Sequence, residues 1–356
     1  MKNLRILGIL PLIFSLFFVG CEKASVENDA SSDLTGLVIL NNGNWGDNNG
    51  SVMAYDAVLQ DFTDVFKSAN NKALGDLGQD ILVLGDDIYI SVQGSQVIFV
   101  CDRNFRVKKE IKVSDSEGNQ LSPNYFAASA DKVYVTLYEG WLGEIDPSED
   151  YAVRITEVGP NPVGLACVSG KIYVANSGGY VQYYYNNTLS VVDETSFKEV
   201  STIEVNVNPQ TVVANSSGNL LYVSSLGNYG DIAPKLEVVN LSDGSVHSTS
   251  YSGVSEIARG ADDTLYILCG GYDSSWNPLP GTVYAHNMAV NSAKGEFGGM
   301  KIGNAYKISA DIRTGHVFVS ASDYRTDGDV YVFDRSGELR ARVDSRGLNP
   351  VKALFL

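Results

Sequence analysis

One short pattern recurs too regularly for most folds to accommodate. An apolar triplet centred on an aromatic stands at 88 (IYI), 133 (VYV), 172 (IYV), 221 (LYV), 265 (LYI) and 317 (VFV), and LVI at 37 holds the equivalent place. Another apolar run precedes each copy, often entered through proline: QDILVL, NYFAAS, PVGLAC, QTVVAN, VSEIAR, AYKISA and PVKALF. A third run follows and tends to end in Asp or Asn: SVMAYD, QVIFVCD, WLGEID, TLSVVD, KLEVVN, TVYAHN and DVYVFD. After most of these comes a more polar, alternating run such as KEVSTIEV or ELRARV, the pattern of an outer strand with one wet face. Each unit reads as a four-stranded meander with the period of a propeller blade.

The two ends of the repeat specify the topology. The first unit lacks its opening strand, and the chain closes with a surplus one, PVKALF. The C-terminal strand is therefore predicted to complete the N-terminal blade, which closes the ring and leaves no sheet edge open between first and last blades. An open solenoid has no use for such a split repeat, and sandwiches seldom show sevenfold self-similarity. The expected fold is all-β, a seven-bladed propeller spanning residues 35–356, with no second domain and no helix after the leader.

Residues 1–20, MKNLRILGILPLIFSLFFVG, place Lys2 and Arg5 before an apolar stretch that ends in small residues, as a signal peptide does. Cys21 follows directly, in the position of a lipobox cysteine, although Phe18 stands where leucine is usual. Cys21 is the expected lipidation site, and the polar stretch at 21–34 the tether between membrane and fold. The expected location is the outer membrane, lipid-anchored, at the cell surface. A formal net charge of −16 offers no basic footprint for a phosphate backbone, which argues against nucleic acid as a partner.

In a propeller, loops joining the second strand to the third surround one mouth of the central channel. Here they read NNGNWGDNNG, VQG, LYEG, NSGGYVQYYYNN, SLGNYGDIAP, CGGYDSSWNPLPG and ASDYRTDG, and nearly all carry Tyr or Trp. Opposite hairpins such as LGDD, SADK, VSGK and GADD carry none. The candidate ligand-binding residues are therefore Asn44, Trp45, Gln93, Tyr138, Trp141, Tyr180, Tyr183, Tyr184, Tyr185, Tyr229, Asp231, Tyr272, Trp276, Tyr324 and Arg325. Rigid amphipathic rings among amide hydrogen-bonders suit a large ligand with polar edges. Some of these rings are expected to pack their own loops, but Tyr183, Tyr184 and Tyr185 alternate in direction and cannot all be buried.

Signals for chemistry are thin. The mature chain has no GxSxG, HExxH, P-loop or CxxC, and neither catalytic residues nor a cofactor are expected. Three histidines, His247, His286 and His316, are scattered, and Cys101, Cys167 and Cys269 read as buried free thiols, so no metal site is expected. Asp86-Asp87 and Asp262-Asp263 read as solvated turns, as does the run with Asp323, Asp327 and Asp329, which lacks EF-hand spacing. A propeller enzyme would instead need His, Arg or Asp on the channel axis, where loop position makes Arg325 and Asp231 the candidates.

Residues 171–225, KIYVANSGG followed by NTLSVVDETSFKEVSTIEVNVNPQTVVANSSGNLLYVSS, resemble the YVTN-type repeats of YncE-like and DUF5074-like surface-layer propellers. The lipobox, VILNNGNWG, GDLGQD, YGDIAPKLEVVN and GLNPVKALFL further resemble the BtuG-type surface lipoproteins. That likeness implies capture of cobalamin or a related corrinoid at the outer-membrane surface and its transfer to a TonB-dependent transporter. The alternative is a surface propeller that binds a glycan or a protein with the same rings.

Overall fold

A computed structural model describes residues 34–179, 184–271 and 278–356. The leader, Cys21 and the tether lie outside these residues, as do Tyr180, Tyr183, Tyr272 and Trp276.

The chain folds into seven four-stranded antiparallel sheets set around one channel. Blade 1 is built from both termini: Pro350–Phe355 is its innermost strand and pairs with Leu37–Asn41 in the register Leu37 to Phe355, and Ser51–Asp56 and Asp61–Asp64 complete it. The predicted closure is thus present, and its backbone ladder joins residues more than 300 apart in sequence. Blades 2 to 7 follow in chain order, their innermost strands being Gly78–Leu84, Pro123–Ser129, Pro162–Val168, Pro209–Ala214, Val254–Arg259 and Ala305–Ala310. The aromatic triplets form the second strands, buried on both faces, with Tyr89, Tyr222 and Phe318 almost fully enclosed. Their flat rings fill the gap between blades, which explains why one aromatic is needed in most repeats.

Among the described residues, two helical turns depart from the all-strand expectation. Val65–Asn70 forms a short α-helix after blade 1: Asp64 accepts the Lys67 N–H at 2.9 Å as N-cap, and Phe66 is fully buried. Pro147–Glu149 is a single 3₁₀ turn. Both are too short for a helical period to show in sequence.

A device repeated in every blade sets the height of the mouth. The residue after each second strand donates its N–H to the carbonyl of the residue before that blade's innermost strand, at 2.8–3.1 Å; Gln93 to Leu77, Tyr138 to Ser122, Ser177 to Asn161 and Asn42 to Asn349 are examples. Five of the acceptors, Leu77, Asn161, Asn208, Asn304 and Asn349, have left-handed backbone, and Gly253 serves in blade 6. Asparagine tolerates this conformation best of the residues with a side chain, which accounts for the Asn-Pro entries at 161, 208 and 349.

Candidate functional site

The mouth carries the exposed rings. Among the described residues, the exposed aromatics are Trp45, Tyr184, Tyr185, Tyr229 and Tyr324, and all five lie on loops between second and third strands. Trp45 is 76% exposed, yet its backbone is held on both sides. Gly46 donates its N–H to both carboxylate oxygens of Asp76, at 3.0 and 3.1 Å, and Asn44 donates its N–H to Asn49 Oδ1 at 2.9 Å. From the end of the chain, the Asn349 amide donates to Gly43 O (2.8 Å) and Asn44 Oδ1 (3.0 Å). The indole therefore projects from a fixed loop instead of packing into it.

Tyr229 and Tyr324 are held in the same manner. Asn228 Oδ1 accepts the N–H groups of Gly230 and Ile232 (3.0 and 2.9 Å), and its amide donates to Asp231 at 2.8 Å. Asp323 Oδ1 accepts the N–H groups of Arg325 and Thr326 (2.9 and 2.8 Å). Tyr229 (φ 55°) and Tyr324 (φ 61°) sit in the left-handed region, an uncommon backbone for a bulky side chain. Tyr185 meets Tyr229 edge to face at 5.8 Å, joining blades 4 and 5, and Tyr324 meets Tyr306 at 5.5 Å in blade 7. Tyr306, the second residue of an innermost strand, did not stand out in the sequence because it lies outside the loops.

Other candidates fall elsewhere. Trp141 begins a strand and packs half-buried against the core between blades 2 and 3, so it is a packing residue and not part of the exposed rim. Tyr138 and Asn44 are half-buried, and the Gln93 amide oxygen accepts from Gln79 at 2.7 Å. Asp231 and Arg325 are exposed rim residues. The acidic run does not converge on one point: Asp323 caps its turn, and Asp329 pairs with Arg342 at 2.7 Å. Of the turns expected to be solvated on the opposite face, Asp86 and Asp262 are exposed, whereas Asp87 is buried and accepts from Lys108 and from the Tyr151 hydroxyl (2.8 Å), and Asp263 accepts from Ser216 N and Oγ (both 2.8 Å). Asp87 and Asp263 link neighbouring blades. Of the thiols, Cys101 and Cys269 are buried and pushed up to about 12 by that burial, whereas Cys167 is only half-buried.

Along the channel lies a cavity of ≈ 240 Å³ lined by all seven innermost strands. The third residue of every such strand faces it: Lys352, Asp80, Tyr125, Gly164, Thr211, Glu256 and Lys307, in order around the ring. Each of these strands shifts register beside this residue, and such a bulge re-aims the side chain toward the lumen. In blades 2, 3, 5 and 7 the irregularity is stitched by a hydroxyl of the second strand, as Ser91, Thr136, Ser224 and Ser320 accept the N–H of Asp80, Tyr125, Thr211 and Lys307. At Gly164 a Cβ would lie 2.4 Å from Gln210 O, so only glycine fits where blades 4 and 5 press together.

The belt links neighbouring blades. Lys352 donates to Asp80 at 2.6 Å, and Lys307 and the Thr211 hydroxyl both donate to Glu256. Burial alone would lower the Lys307 ammonium, but Glu256 and then Tyr125 outweigh it and hold it well above its ordinary value. Burial also raises the Tyr125 phenol, against the pull of Lys307, and keeps it protonated at neutral pH. The sequence carried a faint sign of this belt: four of the seven innermost strands have a charge at the same third position.

A closed ring of seven four-stranded antiparallel blades, completed by the C-terminal strand, defines a seven-bladed β-propeller. The chain belongs to the family described as Domain of unknown function (DUF5074), whose model matches residues 35–298. No curated protein matches it in sequence. Among solved structures it is similar to a quinonprotein alcohol dehydrogenase-like protein of Bacteroides thetaiotaomicron (TM-score 0.62, 15% identity, covering 90% of this chain and 78% of that one). It is also similar to the hydrazine synthase of Kuenenia stuttgartiensis (0.60, 16%, 75% and 85%) and to BamB of Moraxella catarrhalis (0.52, 14%, 88% and 84%). At such identities the likeness is one of fold alone.

Proposed function

We propose that this protein is a non-catalytic capture protein, anchored through Cys21 at the surface of the outer membrane, that binds cobalamin or a related corrinoid at the aromatic mouth and passes it to a TonB-dependent transporter. The observation that carries this reading is Trp45: an indole left in water while hydrogen bonds from two other segments fix its backbone. Leaving such a ring exposed forgoes burial of a large apolar surface, and holding it still lowers the entropy lost when a ligand stacks on it. Tyr184, Tyr185, Tyr229 and Tyr324 extend the platform around the mouth, and asparagine, glutamine and backbone groups between them match the amide fringe of a corrin. The lipobox-like leader and the BtuG-type sequence motifs supply the anchor, the ligand class and the transporter.

Titration of the protein with cyanocobalamin, followed by heat and by corrin absorbance together, tests this. Saturable one-to-one binding at micromolar concentration or tighter is the expected result. Absence of heat and of a spectral change at such concentrations overturns the corrinoid and leaves the mouth to a glycan or a protein partner.

A further inference from the structure

The charged belt in the channel plays no part in capture at the rim, and its hydrogen bonding is lopsided. Every carboxylate oxygen already has a donor: Asp80 Oδ1 accepts from Ile81 N (2.9 Å) and Lys352, Asp80 Oδ2 from Phe126 N (2.9 Å), and the two oxygens of Glu256 accept from Thr211 and Lys307. The ammonium groups keep donors unused. Each has three donors. Among the described residues Lys352 donates to Asp80 alone, and its side chain is one-third exposed beside the cavity. Lys307 lies over the Tyr125 ring at 5.9 Å. The two lysines occupy equivalent positions on adjacent strands of blades 7 and 1, which are joined by Ser309 Oγ donating to Ala353 O at 2.9 Å. Enclosed ion pairs of this kind add little stability over apolar side chains of equal volume, so packing does not explain them.

We propose that the channel is a second binding site, below the rim, for a compact oxyanion, a carboxylate or phosphate group held by Lys352 and Lys307. The ligand is an acceptor, because the lysines keep ammonium donors unused while their carboxylate partners are already engaged. It must be compact, since ≈ 240 Å³ admits a small metabolite and excludes a corrin or a sugar chain. Asp80 and Glu256 balance the two lysines in charge. This site does not depend on the corrinoid reading.

The test is calorimetric titration of the full chain in a chloride-free sulfonate buffer at neutral pH, with succinate in one arm and inorganic phosphate in the other at matched ionic strength. Saturable binding and a raised Tm are expected in at least one arm, the arm marking the ligand as carboxylate or phosphoryl. Lys352→Met should weaken it by about tenfold or more, the loss of one charge-assisted hydrogen bond. No heat and no Tm shift in either arm up to about 10 mM, or unchanged affinity in Lys352→Met, overturns the site. Should that variant fail to fold, acylation of the wild-type protein mapped by mass spectrometry decides: the binding anion should slow modification of Lys307 and Lys352 but not of exposed Lys235, and equal rates overturn it. Trp45→Ala should leave anion binding unchanged, so this site and the rim succeed or fail separately.

Discussion

Both faces of the ring place aromatic residues in left-handed turns, with opposite results. Phe105, Tyr151 and Phe197 sit on the face opposite the mouth, in loops between third and fourth strands, with φ of 61°, 60° and 50°. Their rings turn inward: Phe105 and Phe197 are buried, Phe197 stacks on Tyr134 at 6.2 Å with Arg154 over it at 4.6 Å, and Tyr151 meets Tyr89 edge to face. Tyr229 and Tyr324 share that backbone on the mouth and stay about half exposed. The difference is what lies beneath. Loops at the outer strands overhang the gap between splayed blades, whereas loops near the channel have the packed second strands below them and no gap to fill. One face buries its aromatic and acidic side chains between blades, and the other leaves its rings exposed to water.

Variants that cross this division should separate stability from binding. The largest effect is expected at the belt: Asp80→Ala strands Lys352 and the Phe126 N–H and should cost about 3 kcal/mol, read as a lowered urea midpoint at unchanged m-value. Trp45→Ala comes next and inverts the readout, weakening ligand binding by about 2 kcal/mol while unfolding free energy stays within about 0.5 kcal/mol. A large loss of stability there would make the indole part of a loop core. On the opposite face Asp87→Asn should cost about 1–2 kcal/mol through its links to Lys108 and Tyr151, with binding at the mouth unchanged.

The smallest effect is a pH dependence. His286 hydrogen-bonds with Asn291 (3.0 Å) and Tyr251 (3.3 Å) and touches the Tyr222 ring, and its burial lowers its pKa from the ordinary 6.5. The unfolded chain therefore takes up this proton more readily, so the stabilisation is fully present above 6.5 and is lost as pH falls from 6.5 through the folded value. Chemical denaturation at a series of pH values should show this slope, and His286→Gln should flatten it. A slope that persists in the variant would place the titration elsewhere.

The architecture was legible because it is written in periodicity. A strand's environment repeats with each blade, so the triplets at 88, 133, 172, 221, 265 and 317 announce the count, and the surplus PVKALF announces the closure. The helix at Val65–Asn70 was not legible, since it rests on caps at Asp64 and Asn71 and one buried Phe66. Loop composition placed Trp45, Tyr184, Tyr185, Tyr229 and Tyr324 at the mouth, but the same signal drew in Trp141, which opens a strand and packs inward.

By itself, then, the sequence determined the number of blades, their order, the closing strand and the face that bears the aromatics, because each follows from local pattern and chain order. Tertiary structure alone decided which rings stay in water and which charges meet. Lys352 and Asp80 are 272 residues apart, and Lys307 and Glu256 are 51 apart. No local pattern encodes such meetings: they exist only because the ring closes and brings the third residue of every innermost strand to one axis.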